Sequence, residues 1–256
     1  MTILSLISLI SVLLCSLPTA GGADGFYVKR NAEHRQPTLD AEYSYIEQYD
    51  AYYVDRRHGD ECDERVLYLT FDAGYENGNI ERILDTLKAE NVPAAFFVLE
   101  NLITRNTALV RRMRDEGHLV CNHTMHHRDM SKIEDPTAFA EELSALERLY
   151  SEKIGGEMPK FYRPPEGRFS KENLKMAQSL GYKTVFWSFA YADWDNKKQP
   201  SEEYAIKKIL DNTHNGAIIL LHPTSATNAK ILPRLIGEWR KMGYRFGSLC
   251  ELGNAQ

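Results

Sequence analysis

The chain has 256 residues, 43% of them apolar, with 31 Lys and Arg against 36 Asp and Glu for a formal net charge of −5. This length and composition suit one large α/β domain with a sizeable core and argue against two small domains. The acidic balance, with no long basic run, removes the electrostatic footprint expected of a nucleic-acid-binding protein.

Residues 1–23 hold an apolar run from Ile3 to Leu17 followed by Pro18-Thr19-Ala20-Gly21-Gly22-Ala23, which predicts a secretory leader cleaved near Gly22 or Ala23. No Lys or Arg precedes the run, and it is shorter than the roughly 20 residues of a membrane span. Cys15 follows Val12-Leu13-Leu14 and lacks the small residue that a lipid-anchor site needs. Cleavage places the mature chain outside the cytoplasm, on the cell-wall side of the membrane. It leaves Cys62, Cys121 and Cys250, too few for a disulfide framework, with Cys62 and Cys250 as the candidate bridge.

Residues 24–64 are polar and tyrosine-rich without a period of 3.6 or 2. They are expected to form an irregular extension around the domain, with a short helix near 41–49. The domain itself is expected over 65–252. Val66-Leu67-Tyr68-Leu69-Thr70-Phe71 predicts a buried strand ending at Asp72 and Gly74. Ile80, Ile83, Leu84 and Leu87 recur at helical spacing, and Ala94-Ala95-Phe96-Phe97-Val98 is the next strand. The alternation continues with a helix at 107–116, a strand at 119–121, a helix at 136–152 and a strand at Phe161-Tyr162. A helix at 171–180 stopped by Gly181 and a strand at 184–189 follow. The chain then gives a helix at 201–212, a strand at 217–221, a helix at 228–242 stopped by Gly243, and a strand at 244–246. About seven strand–helix repeats predict a distorted barrel of parallel strands, although periodicity alone does not separate it from an open doubly wound sheet.

In such a barrel the strand C-termini converge on one mouth, and the polar candidates each follow a strand: Asp72, His123 with His127, Arg163, Asp193 and His222. His123-Thr124-Met125-His126-His127 puts two imidazoles four residues apart, a spacing that aims both at one metal ion. Each residue also has a bland reading: Asp72 as a helix cap, His222 as a core histidine, Arg163 as a surface residue, Asp193 as the partner of a lysine. All of these would have to hold together for the site to vanish.

In this order, the residues resemble the polysaccharide deacetylases, the family 4 carbohydrate esterases with a NodB-like domain. Five motifs carry the resemblance: Thr70-Phe71-Asp72-Ala73-Gly74, His123-Thr124-Met125-His126-His127, Arg163-Pro164-Pro165-Glu166-Gly167, Asp193-Trp194 and Leu220-Leu221-His222. The resemblance implies a (β/α)7-type barrel and a metal-dependent amide hydrolase. It makes Asp72 the general base, His222 the general acid, and His123 and His127 the metal ligands. Arg163 would hold Asp72, Asp193 would orient the acid side, and Gly74, Pro164, Pro165, Gly167, Arg168, Trp194 and Leu220 would contact substrate. The chemistry agrees, because amide hydrolysis needs an activated water, a stabilised oxyanion and a proton for the departing amine.

One departure stands out. Ala73 occupies the position of a second, metal-ligating Asp, which leaves two protein nitrogens and makes Zn²⁺ the first expectation without excluding another divalent ion. Ala73, Glu166 and Thr184-Val185-Phe186-Trp187-Ser188 resemble a narrower branch, the δ-lactam-type de-N-acetylases that act on N-acetylmuramic acid of spore-cortex peptidoglycan. That branch implies a peptidoglycan strand as partner for a monomeric enzyme, with Arg168 meeting the lactyl carboxylate. The alternatives are an N-acetylglucosamine or chitin-oligomer deacetylase, and a glycan-binding module with a weakened site.

Overall fold

The computed structural model describes residues 24–29 and 33–253, so the predicted leader lies outside the described residues. The segment before the domain is largely irregular. It contains β1 (Asp24–Gly25), 3-10 turns at Ala41–Tyr43 and Ile46–Tyr49, and β2 (Ala51–Tyr52). Aromatic burial attaches it: Phe26 stacks on Phe186 with ring centroids 4.2 Å apart, and Tyr53 and Phe169 join the same buried cluster. The two short strands are docked as well, β2 beside a strand of the main sheet and β1 antiparallel to Arg168–Phe169.

The domain is built on β3 (Arg65–Ala73), whose alternation decides what faces where. Leu67, Leu69, Phe71 and Ala73 belong to the outer core beneath the helices, whereas Val66 and Tyr68 pack inward with Phe97 and Cys121. Thr70 and Asp72 continue the inward row. The chain then runs α1 (Ile80–Ala89), β4 (Ala94–Val98), α2 (Glu100–Arg105), α3 (Thr107–Asp115), β5 (Leu119–Asn122) and α4 (Pro136–Lys153). It continues with β6 (Phe161–Tyr162), β7 (Arg168–Phe169), α5 (Lys171–Ser179), β8 (Lys183–Val185), α6 (Glu202–Asp211), β9 (Ala217–Leu221), α7 (Ala226–Lys241) and β10 (Tyr244–Phe246). Side-chain caps fix several helix starts: Asp135, Ser170, Ser201 and Ser225 each accept from a backbone N–H of the first turn. Gly181, at a φ of +78°, ends α5 as expected.

The main sheet runs β10-β3-β4-β5-β6-β8-β2, with β9 also on β3, and every pair in it is parallel. It curls until Phe189, beyond β8, bridges Ile219 of β9. This is the predicted distorted barrel of parallel strands. Apolar burial holds it: Phe71 stacks on Phe96 at 5.0 Å, both fully buried beneath α1 and α3. Removing one such ring costs about 3–5 kcal/mol.

Two expectations are corrected and one element is added. The strand foreseen at 184–189 stops at Val185, because Arg163 takes the carbonyls of Val185 and Phe186 at 2.8 and 3.0 Å in place of a neighbouring strand. Helix α2 had no forecast: six residues burying Leu102 and Ile103 are too short to show a period. Cys62 and Cys250 are both free, one half-buried and the other exposed, since Cys250 lies in a 3-10 turn near Cys121 and not beside Cys62. Among the described residues, no helix is long and apolar enough to cross a membrane.

Candidate active site

Parallel pairing brings the C-terminal ends of β3, β5, β6 and β9 to one mouth, which opens into a cavity of about 670 Å³. Asp72 lies on the inward face of β3 at that mouth. Arg163 follows β6 and is fully buried, yet every donor that reaches a partner is accounted for. Its Nη1 donates to Asp72 Oδ1 at 2.8 Å, Nη2 to Thr70 Oγ1 at 2.9 Å, and its remaining bonds are the two backbone carbonyls already named. The guanidinium also lies 4.1 Å from the Phe97 ring centroid. Burial alone would raise the Asp72 carboxyl, but the charge of Arg163 and its hydrogen bond outweigh it and hold the group below its ordinary range. Asp72 is therefore an anion at neutral pH.

The histidine loop follows β5. Thr124 and His127 both have left-handed backbones, with φ of 73° and 55°, a strain of about 1–3 kcal/mol each. Local bonds compensate: Asn122 Oδ1 accepts from Thr124 N at 2.9 Å and Thr124 Oγ1 from His127 N at 3.0 Å. Buried Glu142 of α4 takes the rest, binding His126 N and its Nδ1, so this middle histidine points away from the cavity. His123 Nδ1 donates to the Arg163 carbonyl at 2.8 Å, which directs Nε2 toward Asp72 Oδ2 at 3.6 Å. Burial brings the His123 pKa down to about 4, so the ring is neutral with a free lone pair. The His127 ring stands edge-on to it with centroids 5.2 Å apart.

Across the cavity, His222 follows β9. Its Nδ1 donates to Asp193 Oδ1 at 2.7 Å, and its backbone N–H to Asp193 Oδ2 at 2.9 Å. Burial works to lower this imidazole, but the hydrogen bond and charge of Asp193, helped by Asp72, prevail and raise it. Asp193 is itself held by Asn228 of α7, whose Nδ2 donates to Oδ2 at 2.6 Å and to the His222 carbonyl at 3.1 Å, while Tyr191 donates its hydroxyl to the Asn228 side chain.

Of the residues foreseen from sequence, Asp72, Gly74, His123, His127, Trp194, Leu220 and His222 line the cavity. Arg163 and Asp193 stand behind it and bond to residues that do. Pro164 and Pro165 lead into a left-handed Glu166, which faces the cavity. Gly167 is required for packing, since a Cβ there would lie 2.7 Å from Trp187. Arg168 is placed differently from expectation: it does not line the cavity, and its guanidinium pairs with Asp129 at 2.9 Å and Glu166 at 3.1 Å. Tyr75, Trp187, Tyr191 and Thr224 also line the wall. Trp187 falls within the 184–188 segment and Tyr75 directly follows Gly74, whereas Tyr191 and Thr224 had no local signal beyond lying near a motif.

An ionised carboxylate and an imidazole of raised pKa lining one cavity at the mouth of a parallel barrel, each backed by a buried opposite charge, form a pair suited to acid–base hydrolysis. The comparisons specify which kind. A family model described as polysaccharide deacetylase matches residues 59–185. The chain is 40% identical over 227 residues to the peptidoglycan-N-acetylmuramic acid deacetylase PdaA of Bacillus subtilis, covering 88% of this chain and 83% of that protein. The solved structure of B. subtilis PdaA, a family 4 carbohydrate esterase, superposes with a TM-score of 0.84 at 37% identity, over 90% of this chain and 96% of that one. A peptidoglycan-N-acetylglucosamine deacetylase of Bacillus cereus is 34% identical over 198 residues, covering 74% of this chain and 88% of its own length. The chain belongs to the polysaccharide deacetylase family and is a hydrolase.

Deacetylases of this family are generally metal-dependent. Among the described residues, no three His, Cys, Asp or Glu side chains form a metal cluster. The donors that fit an ion are the two imidazoles, with His123 held neutral and its free nitrogen directed inward. Ala73 offers nothing to it: its methyl is fully buried in the outer core, on the opposite face of β3 from Asp72.

Proposed function

We propose that this hydrolase removes the acetyl group from N-acetylmuramic acid in peptidoglycan glycan strands, with Asp72 as base and His222 as acid. The carrying observation is the opposed pair itself. Arg163 holds the Asp72 carboxyl toward the deprotonated state and Asp193 raises His222 toward the protonated one, the two states that amide hydrolysis needs. Asp72 takes a proton from water as its oxygen adds to the acetamide carbonyl carbon. His222 then gives a proton to the sugar nitrogen as the C–N bond breaks, releasing acetate and a free amine. A divalent ion held by His123 and His127, with Zn²⁺ the first candidate, supplies positive charge beside the carbonyl when bound. Two neutral ligands hold such an ion weakly, so the purified enzyme should gain activity on addition of divalent ion and lose it to a chelator.

The substrate reading draws on the 40% identity to an N-acetylmuramic acid deacetylase. The apolar run at Ile3 to Leu17 supports export to the cell-wall side, and the resemblance of Ala73, Glu166 and residues 184–188 to the δ-lactam-type branch supports a place in muramic δ-lactam formation in spore cortex. A second reading, deacetylation of N-acetylglucosamine, is favoured by one feature: Glu166 presents an anion to the cavity and occupies Arg168, which is unfavourable for a lactyl carboxylate. Acetate release from peptide-free muramoyl strands and from chitin oligomers, with Zn²⁺ or Mn²⁺ added, decides between them. Asp72→Asn and His222→Ala should each cut the rate by about 10²–10⁴-fold. Full activity in either folded variant refutes the roles, and equal turnover of both substrates refutes the preference for muramic acid.

A further inference from the structure

The two imidazoles that face the cavity are aimed by different means. His123 Nδ1 is tied to the Arg163 carbonyl at 2.8 Å, the usual arrangement for a metal-ligating histidine, whose second ring nitrogen is held by an acceptor. His127 has no such tie. Its backbone N–H is bonded to Thr124 Oγ1, but among the described residues no hydrogen bond reaches its ring, which is exposed and stands against His123. The direction of the ring is therefore set by the loop backbone, and that backbone passes through the left-handed Thr124 and His127, a conformation that persists only where the surroundings enforce it.

Helix α4 supplies the enforcement at one residue. The Glu142 carboxylate, with only 6% of its side chain exposed, accepts from His126 N at 3.1 Å and from His126 Nδ1 at 2.9 Å, and pairs with Arg128 Nε at 3.3 Å. The Glu142 carbonyl accepts from Met125 N at 3.0 Å, and the Leu143 carbonyl from Asn122 Nδ2 at 2.9 Å. Residues 125, 126 and 128 are thus held by one side chain and its own peptide, with His127 between them. A buried carboxylate is costly to keep, and a neutral amide oxygen would serve for a single tie between helix and loop. What the carboxylate adds is a stronger grip on several donors at once.

We propose that Glu142 is a positioning residue for metal binding: by turning His126 away and fixing the backbone on both sides of His127, it aims the His127 ring at the ion shared with His123. This rests on the reading of His123 and His127 as the ligands. The site is sensitive to such a device because it has little in reserve. Residue 73 contributes no carboxylate, so a misdirected His127 leaves a single protein nitrogen, and affinity depends on how much of the ordering is done before the ion arrives.

The test is isothermal titration of Zn²⁺ into the chelator-stripped full chain and its variants. Glu142→Ala should weaken binding by about 10²-fold, the upper end for a residue that orients a ligand without touching the metal. Glu142→Gln, which keeps the bulk and one acceptor, should lose about tenfold. Leu146→Ala, one turn further along α4 and fully buried, should lower the urea midpoint and leave Zn²⁺ affinity unchanged. Unchanged affinity in folded Glu142→Ala, or in Glu142→Gln should the alanine variant not fold, overturns the positioning role. An equal loss in Leu146→Ala assigns the effect to general loosening of the helix and overturns it as well. His127→Ala is scored separately: affinity unchanged there defeats the reading of His127 as a ligand, whereas affinity lost there but kept in Glu142→Ala defeats the positioning role alone.

Discussion

The proposed base and the proposed acid of this site use one device with opposite signs, but the two halves are built from different material. Asp72 is part of a central strand, and its counter-charge, Arg163, is fully buried and bonded to the backbone of β8 and the loop after it. His222 emerges from β9, and its counter-charge, Asp193, belongs to an irregular loop held by the side chains of Gln199 and Asn228. The base is therefore bound up with the stability of the barrel, whereas the acid can be altered at lower structural cost.

Arg163→Met should break the comparison most severely. It leaves the Asp72 carboxylate without its buried partner, an expected loss of about 3–5 kcal/mol in urea unfolding, together with loss of acetate release. Ala73→Asp asks which face of β3 belongs to the site. The new carboxyl would enter the buried outer core, so a stability loss of about 3 kcal/mol with unchanged Zn²⁺ affinity is expected. Tighter Zn²⁺ binding in titration calorimetry would instead turn residue 73 toward the ion.

Asp193→Asn should leave the fold intact and lower activity at neutral pH by about 10–10²-fold. Without the anion the His222 pKa falls, so the alkaline limb of the kcat/KM profile moves to lower pH. The stability consequence has a definite sign. A raised folded-state pKa contributes stability that is complete below the unfolded value of about 6.5 and fades as pH rises through the folded value. That contribution should be absent in Asp193→Asn, which unfolding measured across this window will detect. Asn228→Ala is the mildest change. It removes a donor from Asp193 and the acceptor of Tyr191, for about 1–2 kcal/mol and a roughly tenfold rate loss carried by kcat.

Where the sequence was legible, the signal was local. An apolar run ending in a polar residue announced Asp72 and His222, and i, i+4 spacing announced His123 and His127. The inward row of β3 was equally readable, because alternation is a property of consecutive residues. What stayed hidden depends on contacts made far along the chain. Asn228 reaches Asp193 across 35 positions and Asn196 reaches Tyr75 across 121, and neither has a neighbour in sequence that hints at its partner. Arg168 misled for a related reason: its charge invited a ligand, while Asp129 had already claimed it from 39 residues away. Two-residue β2 was invisible too, since a strand that short is defined only by the β8 edge it joins.

The seam at Phe189 and Ile219 gives the barrel an unequal resistance to opening. β3 is zipped to β4 and to β9 over five consecutive pairs each, but here three backbone bonds across Ser188, Phe189, Ile218 and Leu220 complete the ring. Local unfolding is easier where fewer bonds must break, and opening at this seam, unlike opening of β3 from β4 or β9, leads directly into Ala190, Tyr191 and the loop that carries Asp193. The wall beside the acid can thus breathe while β3, β4 and the carboxylate between them stay shut, which would give a stiff, branched polymer a way into and out of the mouth without melting the barrel.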